Sequence, residues 1–387
     1  MIRALELGDF RNFAVGTRVE FGPRFTVLWG HNGAGKTNVL EALYLVSTLR
    51  SWRSASLEAL LRRGCDHGRV ELEADDYDAG LRTRLEIRID RHARSTRRSA
   101  RIDDKLVRSA SDFYGRVQAV LFTPEDLGVL RGSPTGRRQF LDRVLFARER
   151  AHIGDVQRYD KLLRSRNRVL KSEPGELAPA QRAGLLDSYD VGLAEVGARI
   201  ADRRAVLVAD LGEGFAAAFA QIHDRDRAED LQAQLSYHCR LGLEAGAGVE
   251  ARRASLAAAL REHRRRDEAA GRTTAGPHLD DLRVTLDGAD AGEFASQGQA
   301  RALVLAFKIA ELRSARARSG RAPLLLLDDV SSELDPGRSA RLFEALAAEV
   351  GQCVLTTTAA DYIELGPTVE RRDLQVEDGR IRRANGL

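Results

Sequence analysis

Cysteine is scarce in this 387-residue chain. Cys65, Cys239 and Cys353 lie far apart and are odd in number, so neither a disulfide framework nor a CxxC zinc site is indicated. His238 beside Cys239 is too little for a metal site. Long apolar runs are missing as well. The longest candidate, Val39 to Val46, is broken by Glu41 and falls well short of the ~18 residues of a membrane helix. Met1-Ile2-Arg3-Ala4 lacks the apolar core and cleavage site of a secretory signal. These absences predict a cytoplasmic protein with no membrane partner. A large excess of one charge is also absent. Lys and Arg number 61 against 57 Asp and Glu, and a net +4 does not by itself establish nucleic-acid binding. The basic residues are almost all Arg, a residue suited to bidentate phosphate contacts. What is present, 43% hydrophobic residues over this length, is enough for two domains with a real core.

Texture divides the chain. Alternation predicts strands at Ile2–Leu7 and Thr17–Phe21, and Phe25–Trp29 reads as a strand buried on both faces. A helix is expected from Lys36 to about Leu49, then strands at Val70–Ala74 and Leu81–Ile89. From about Phe140 to Leu260 helical spacing dominates, as in Leu186, Tyr189, Leu193, Val196 and Ile200. Gly192, Gly197, Gly212 and Gly214 weaken any single rod there, so several packed helices are expected. Strand texture returns after Gly276-Pro277, at Leu282–Leu286, Leu324–Leu327 and Val354–Thr356. The expected fold is α/β. A head with a mixed sheet flanked by helices is split in sequence (1–117 and 269–387), and a mainly helical lobe (118–268) is inserted.

Gly30-His31-Asn32-Gly33-Ala34-Gly35-Lys36-Thr37 matches GxxxxGK[ST] between an expected strand and an expected helix. Glycines let successive N–H groups converge on phosphates, and the helix N-terminus adds partial positive charge. Lys36 brings a full charge to the β- and γ-phosphates of ATP, and the Thr37 hydroxyl is placed to ligate Mg2+. Leu324-Leu325-Leu326-Leu327-Asp328-Asp329 is an apolar strand ending in two carboxylates, a Walker B pattern. Asp328 is expected to hold the metal and Asp329 to orient or deprotonate the attacking water.

Further features narrow the class. Ala295-Ser296-Gln297-Gly298-Gln299 opens an expected helix one helix and a short loop before Walker B, and it resembles the ABC signature. There a serine hydroxyl and helix N-terminal N–H groups make an anion site for the γ-phosphate held by a second subunit. Ser296 also suits an ordinary helix N-cap. Ser332-Glu333-Leu334-Asp335 has D-loop spacing, with Asp335 seven residues after Asp328. Arg11-Asn12-Phe13 resembles the turn of SMC-like heads in which the Arg approaches the nucleotide. Gln118 is a Q-loop candidate near the expected lobe junction. Among Thr356, Thr357 and Thr358, where many ABC proteins carry a switch His, Thr357 is taken as the candidate.

Taken together, the chain resembles the RecF family of bacterial recombination mediators. The resemblance runs through Gly8–Phe13, Gly30–Thr37, Phe122–Leu127, Gly132–Pro134 and Arg137–Asp142. It continues through Thr274–His278, Phe294–Gln299 and Leu324–Asp335, and is weak from about Arg150 to Ala270. It implies an SMC-like head with a compact helical lobe, weak ATPase activity and ATP-dependent homodimerisation. It also implies association with DNA near single-strand gaps in the nucleoid, and work with RecR and RecO to load recombinase. Asp329 stands where most ABC ATPases have Glu, which predicts slow hydrolysis suited to a switch.

For DNA, Arg91 to Arg101 reads as a basic loop between two strands, with Arg94, Arg97, Arg98 and Arg101 as phosphate-contact candidates. A solvated charged loop fits the same residues. Arg264-Arg265-Arg266 and Arg137-Arg138 are open between phosphate binding and structural roles. No aromatic ladder is present, so little base specificity is expected. Two other classes compete: the nucleotide-binding subunit of a membrane transporter, and a structural SMC-like ATPase. The long insert and Arg11-Asn12 disfavour the first. The roughly 150-residue insert, short for a long coiled coil and broken by Pro and Gly, disfavours the second.

Overall fold

The computed structural model describes residues 1–54, 56–76, 81–93, 95–173, 175–223, 231–329, 346, 349–363, 365–366 and 369–383. Strands β1 (Ile2–Gly8), β2 (Thr17–Glu20) and β3 (Phe25–Trp29) precede helix α1 (Lys36–Thr48). Then come β4 (His67–Asp76), β5 (Leu81–His92), β6 (Ser95–Ile102), β7 (Lys105–Leu106), α2 (Ala110–Phe113), β8 (Ala119–Phe122) and α3 (Pro124–Leu127). The helical region holds α4 (Pro134–Arg148), α5 (Arg150–Leu170), α6 (Pro179–Ile222), β9 (Ala233–His238), α7 (Gly248–Glu262) and α8 (Arg264–Ala270). It is followed by β10 (Asp281–Leu286), β11 (Ala289–Asp290), α9 (Ala291–Phe294) and α10 (Gln297–Ser319). The chain continues through β12 (Leu324–Leu327), β13 (Gln352–Thr357), β14 (Arg371–Glu377) and β15 (Arg380–Arg383).

Two compact units result: Met1–Asp126 with Glu311–Leu387, and Leu127–Ala310. The sequence placed the second limit near 268. The difference arises because β10 pairs antiparallel with β9, which draws the segment around it into the helical unit.

The first unit holds two sheets. One is an antiparallel sheet in the order β2-β1-β4-β5-β6-β7. Leu5, Leu72 and Leu85 lie in one cross-strand row and Leu7, Val70 and Ile87 in another, all buried. Period-two alternation puts charge on the other face, where Glu6, Glu71, Glu86 and Arg101 form a row flanked by Arg18 and Arg69. The expected loop at Arg91–Arg101 is instead the β5–β6 hairpin, because His92 pairs with Ser95 and the ladder continues to Leu85 and Ile102.

The other sheet runs β15-β14-β3-β13-β12-β8. All neighbours from β14 to β8 are parallel and only β15 is antiparallel. β12 and the edge strand β8 are fully apolar runs and β3 nearly so, because both faces of this sheet are covered. Parallel strands carry their C-terminal ends to one edge, where ligands bind in open α/β sheets. Gln352 joins the two sheets: its side chain bonds both backbone groups of Ile2 and accepts or donates within 2.9 Å, and it also donates to Gly22 O.

In the second unit the four glycines do not divide the helical region. One 44-residue helix, α6, runs through all of them. The packing explains why. A Cβ on Gly197 would meet Leu256 at 2.8 Å and Tyr159 at 3.0 Å, and one on Gly192 would meet Leu162 at 3.1 Å. These glycines are close-approach points for α5 and α7, and burial of the α6 apolar face outweighs their ~1 kcal/mol propensity cost each. By length and composition α6 also passes for a membrane span. Its buried Leu186, Leu193, Val196, Ile200, Leu207 and Leu211 face the interior of this unit. Fully buried Arg166 links three segments through Asp190 (2.6 Å), Asp267 (2.6 Å) and Thr273 (2.9 Å).

Candidate nucleotide site

The loop after β3 turns on glycines at positive φ: Gly30 at 150°, Gly33 at 83° and Gly35 at 115°. Only glycine tolerates the first and last. A Cβ on Gly30 would lie 2.2 Å from Val376 O, and one on Gly35 2.5 Å from Asn12 Nδ2. Lys36, the first residue of α1, folds back and donates to Gly30 O (2.6 Å) and His31 O (3.0 Å). Burial lowers its pKa, opposed by Asp329 and Asp328 nearby. Asn12 braces the loop. Its Nδ2 donates to Ala34 O at 2.9 Å, and its Oδ1 accepts from Asn38 at 2.7 Å.

Asp328 follows β12 at the C-terminal edge. Its Oδ1 accepts from Thr37 Oγ1 (2.9 Å) and Thr356 Oγ1 (2.8 Å). Burial raises its pKa, while the two hydroxyls favour the ionised form and neighbouring Asp329 opposes it. Asp329 adopts φ 45°, a left-handed conformation Asp tolerates better than most residues, and its N–H donates to Thr356 Oγ1 at 2.8 Å. Thr37 and Asp328 are oxygen donors beside the phosphate loop, a set that fits Mg2+. His31, Asn32 and Gly33 leave the outer rim of the loop open, with nothing within 4 Å of a Cβ on Gly33.

Other expected residues fall differently. Arg11 makes a bidentate contact with Glu41 of α1 (2.8 and 2.6 Å) and donates to Ala59 O (2.6 Å), so its partner is a fully buried carboxylate. Arg53 and Ser51 join the same carboxylate. Thr356 carries the contact with Walker B. Thr357, next to it and facing the other way along the strand, donates to Ala359 O at 3.1 Å. Gln118 precedes β8, whose first residue Ala119 is in register with Leu324 at the start of β12. It therefore lies at the N-terminal edge, opposite the Walker residues, which rules out a Q-loop role in this geometry. At the proper edge β8 leads into Thr123 and Glu125; Glu125 contributes to raising the Asp328 pKa. Glu41 and Asn38 carry no sequence signal that would have selected them, while Glu125 lies within the Phe122–Leu127 stretch of the resemblance.

At the start of α10, Ser296 Oγ accepts from Gln299 N–H (3.2 Å) and Gln299 Oε1 accepts from Ser296 N–H (2.8 Å), a reciprocal capping box. Gln297 is exposed and Gly298 follows it into the helix. Ser332 and Asp335 lie outside the described residues, as does Arg94. Of the other hairpin arginines, Arg98 donates to Leu49 O at the end of α1, and Arg101 lies 3.7 Å from Glu86. Arg97 is exposed, in register with Asp90. Arg137 and Arg138 serve the second unit itself, through Asp281 and Asp280 O.

A phosphate loop and a strand-end carboxylate meeting at one edge of a parallel sheet make this the nucleotide-binding head of an ABC-type, SMC-like ATPase. The RecF/RecN/SMC N terminal domain model matches residues 1–373. The chain is 40% identical over 383 residues to the DNA replication and repair protein RecF of Anaeromyxobacter sp. (strain K), covering 98% of each. It is 41% identical over 384 residues to that of Myxococcus xanthus (strain DK1622), covering 98% of this chain and 96% of the relative. Among solved structures, the recombination mediator protein RecF-ATPrS in the RecFOR pathway superposes with TM-score 0.86 at 26% identity, covering 99% of this chain and 98% of that one. An Smc head bound to the C-winged helix domain of ScpA shares the fold, at TM-score 0.54 and 14% identity, covering 99% of this chain and 96% of that one. The chain belongs to the RecF family of DNA replication and repair proteins.

Proposed function

We propose that this protein is an ATP-gated DNA clamp of recombinational repair in the cytoplasm. The Gly30–Thr37 loop and Lys36 bind the triphosphate, and Thr37 and Asp328 hold Mg2+, which would screen the phosphate charge. Asp329 positions the attacking water for slow hydrolysis. The carrying observation is the Thr37–Asp328 contact of 2.9 Å directly after Lys36, which joins Walker A to Walker B across 291 residues of sequence.

The SQGQ start of α10 offers Ser296 and the N–H groups of Gln297 and Gly298 to the γ-phosphate held by a second copy, and Ser332 and Asp335 are the D-loop candidates for the same contact. In this chain Ser296 also caps α10 through its bonds with Gln299, and Gln297 stays exposed at the helix start. ATP favours the closed homodimer and hydrolysis releases it. In this reading the dimer grips duplex DNA near single-strand gaps and works with RecO and RecR to load recombinase.

Gel filtration and DNA binding with ATP, ADP and no nucleotide test the proposal. Wild type should dimerise with ATP only. Lys36→Ala and Ser296→Arg should both stay monomeric. A monomeric wild type in ATP removes the clamp, and a Ser296→Arg variant that still dimerises removes the signature assignment.

A further inference from the structure

We infer that the outer face of α5 is a binding surface for the phosphate backbone of duplex DNA, an inference resting on the DNA-clamp reading. In the hairpin that looked basic in sequence most of the described arginines are engaged: Arg91 lies within 3.6 Å of Glu58 and Asp66, Arg101 lies near Glu86, and Arg98 donates to a backbone carbonyl, while Arg97 is exposed. The opposite holds on α5. Between Gln157 and Lys171 its exposed residues are Gln157, Arg158, Asp160, Lys161, Arg164, Arg168 and Lys171, five cations and one acid. Steps of three, four and three residues from Lys161 to Lys171 keep four of the cations on one helical ridge.

The inner face explains why they point outward. Tyr159, Arg166, Val169 and Leu170 are buried, and Arg166 is consumed by Asp190 and Asp267. The helix therefore turns one arginine inward to hold the unit together and presents the rest. Arg158 lies 4.0 Å from Glu195, but Lys161, Arg164, Arg168 and Lys171 form no ion pair among the described residues. Asp160, four residues before Arg164, borders the same ridge at its N-terminal end and leaves it four cations to one acid. At the C-terminal end, Thr273 N–H donates to Asn167 Oδ1 at 2.8 Å and Gly271 packs on Lys171. This brings exposed Arg272 beside the ridge and extends it.

Four unpaired cations so close together repel one another, and a polyanion relieves that repulsion. The ridge from Lys161 to Lys171 spans ~15 Å at ~1.5 Å per residue. That matches about four steps of a DNA strand at ~3.4 Å each. No exposed aromatic side chain interrupts the ridge to stack on a base, so the chemistry is that of backbone contact without sequence choice.

The test replaces Lys161, Arg164, Arg168 and Lys171 with Gln in the full chain and measures affinity for a gapped duplex against salt, with ATP. Each lost phosphate contact removes ~0.9 from the slope of log K against log salt. The slope should fall by ~3 to 4 and affinity by at least about tenfold near 0.1 M salt. Binding of a fluorescent ATP analogue should be unchanged. As a second readout without substitution, Lys161 and Lys171 of wild type should be protected from acetylation by the duplex, while Lys105 is not. An unchanged salt slope, or acetylation of Lys161 and Lys171 unaffected by DNA, overturns the assignment to α5. So does loss of binding to anionic vesicles with DNA binding intact. A wild type that binds no DNA in any nucleotide state instead defeats the clamp reading itself.

Discussion

Thr356 stands between the two carboxylate residues at the end of β12: its hydroxyl donates to Asp328 Oδ1 and accepts the Asp329 N–H, both at 2.8 Å. One side chain thus sets the orientation of the carboxylate proposed to hold the metal and the backbone of the residue proposed to position the water. Hydrogen bonds to charged groups contribute ~1.5–3 kcal/mol. Thr356→Val should therefore slow ATP hydrolysis by roughly ten- to a hundredfold. ATP binding should change little, since Lys36 and the glycine loop are untouched, and Thr356→Ser should restore most of the rate. Single-turnover hydrolysis beside equilibrium binding separates the two effects; equal turnover in Thr356→Val would contradict the assignment.

Arg11 is tied to Glu41, whose side chain is fully buried. Removing one partner of a buried pair typically costs ~3–5 kcal/mol. Ser51 and Arg53 also reach this carboxylate, so the loss here should fall nearer the lower figure. Arg11→Ala should lower the thermal midpoint without any nucleotide present. A variant as stable as wild type, yet weaker in ATP binding, would show that Arg11 acts on nucleotide instead.

Gln118 offers a contrast within one strand. It lies before β8, at the edge of the sheet away from Asp328. Gln118→Ala should change kcat and KM for ATP by less than about twofold, the scale of a surface substitution. Glu125→Ala, at the edge where Asp328 lies, should shift the Mg2+ dependence of hydrolysis. A large kinetic loss in Gln118→Ala would contradict the strand register.

His278 links α5 to the turn after α8. Burial lowers its pKa to about 4, the bond to Thr273 O opposing. Its neutral ring accepts from Tyr159 Oη at Nδ1 (2.8 Å) and donates from Nε2 to Thr273 O (3.2 Å). A folded-state pKa below the unfolded value of 6.5 means the unfolded chain binds the extra proton first. The contribution is thus complete above pH 6.5 and is lost as pH falls towards 4. At pH 5 the loss should be ~2 kcal/mol relative to pH 7. Thermal midpoints across this range, for wild type and His278→Gln, should show a steeper acid slope in wild type; parallel slopes would refute it.

The site was legible where its geometry is local. A phosphate loop needs glycines, a lysine and a threonine at fixed spacing, and each is set by its neighbours along the chain. Walker B was legible for a similar reason, since an apolar run long enough for a buried strand announces where its carboxylate emerges. The choice among three consecutive threonines was not legible, because β13 alternates its side chains and only the position of β12 beside it selects Thr356. Likewise, Gly192 and Gly197, which look like helix breakers, proved to be contact points, since their neighbours Leu162, Tyr159 and Leu256 come from other helices.

Composition and spacing alone determined that this chain binds nucleotide on an α/β head with a helical region inserted, because those features follow from patterns a few residues long. Tertiary structure decided which charges are spent inside and which remain outside. Among the described residues, Arg91, Arg98 and Arg101 of the hairpin found acids or a carbonyl contributed by other segments, while Lys161, Arg164, Arg168 and Lys171 found no ion pair. Pairing depends on residues far away in sequence, and burial of an opposing group is a property of the folded chain only.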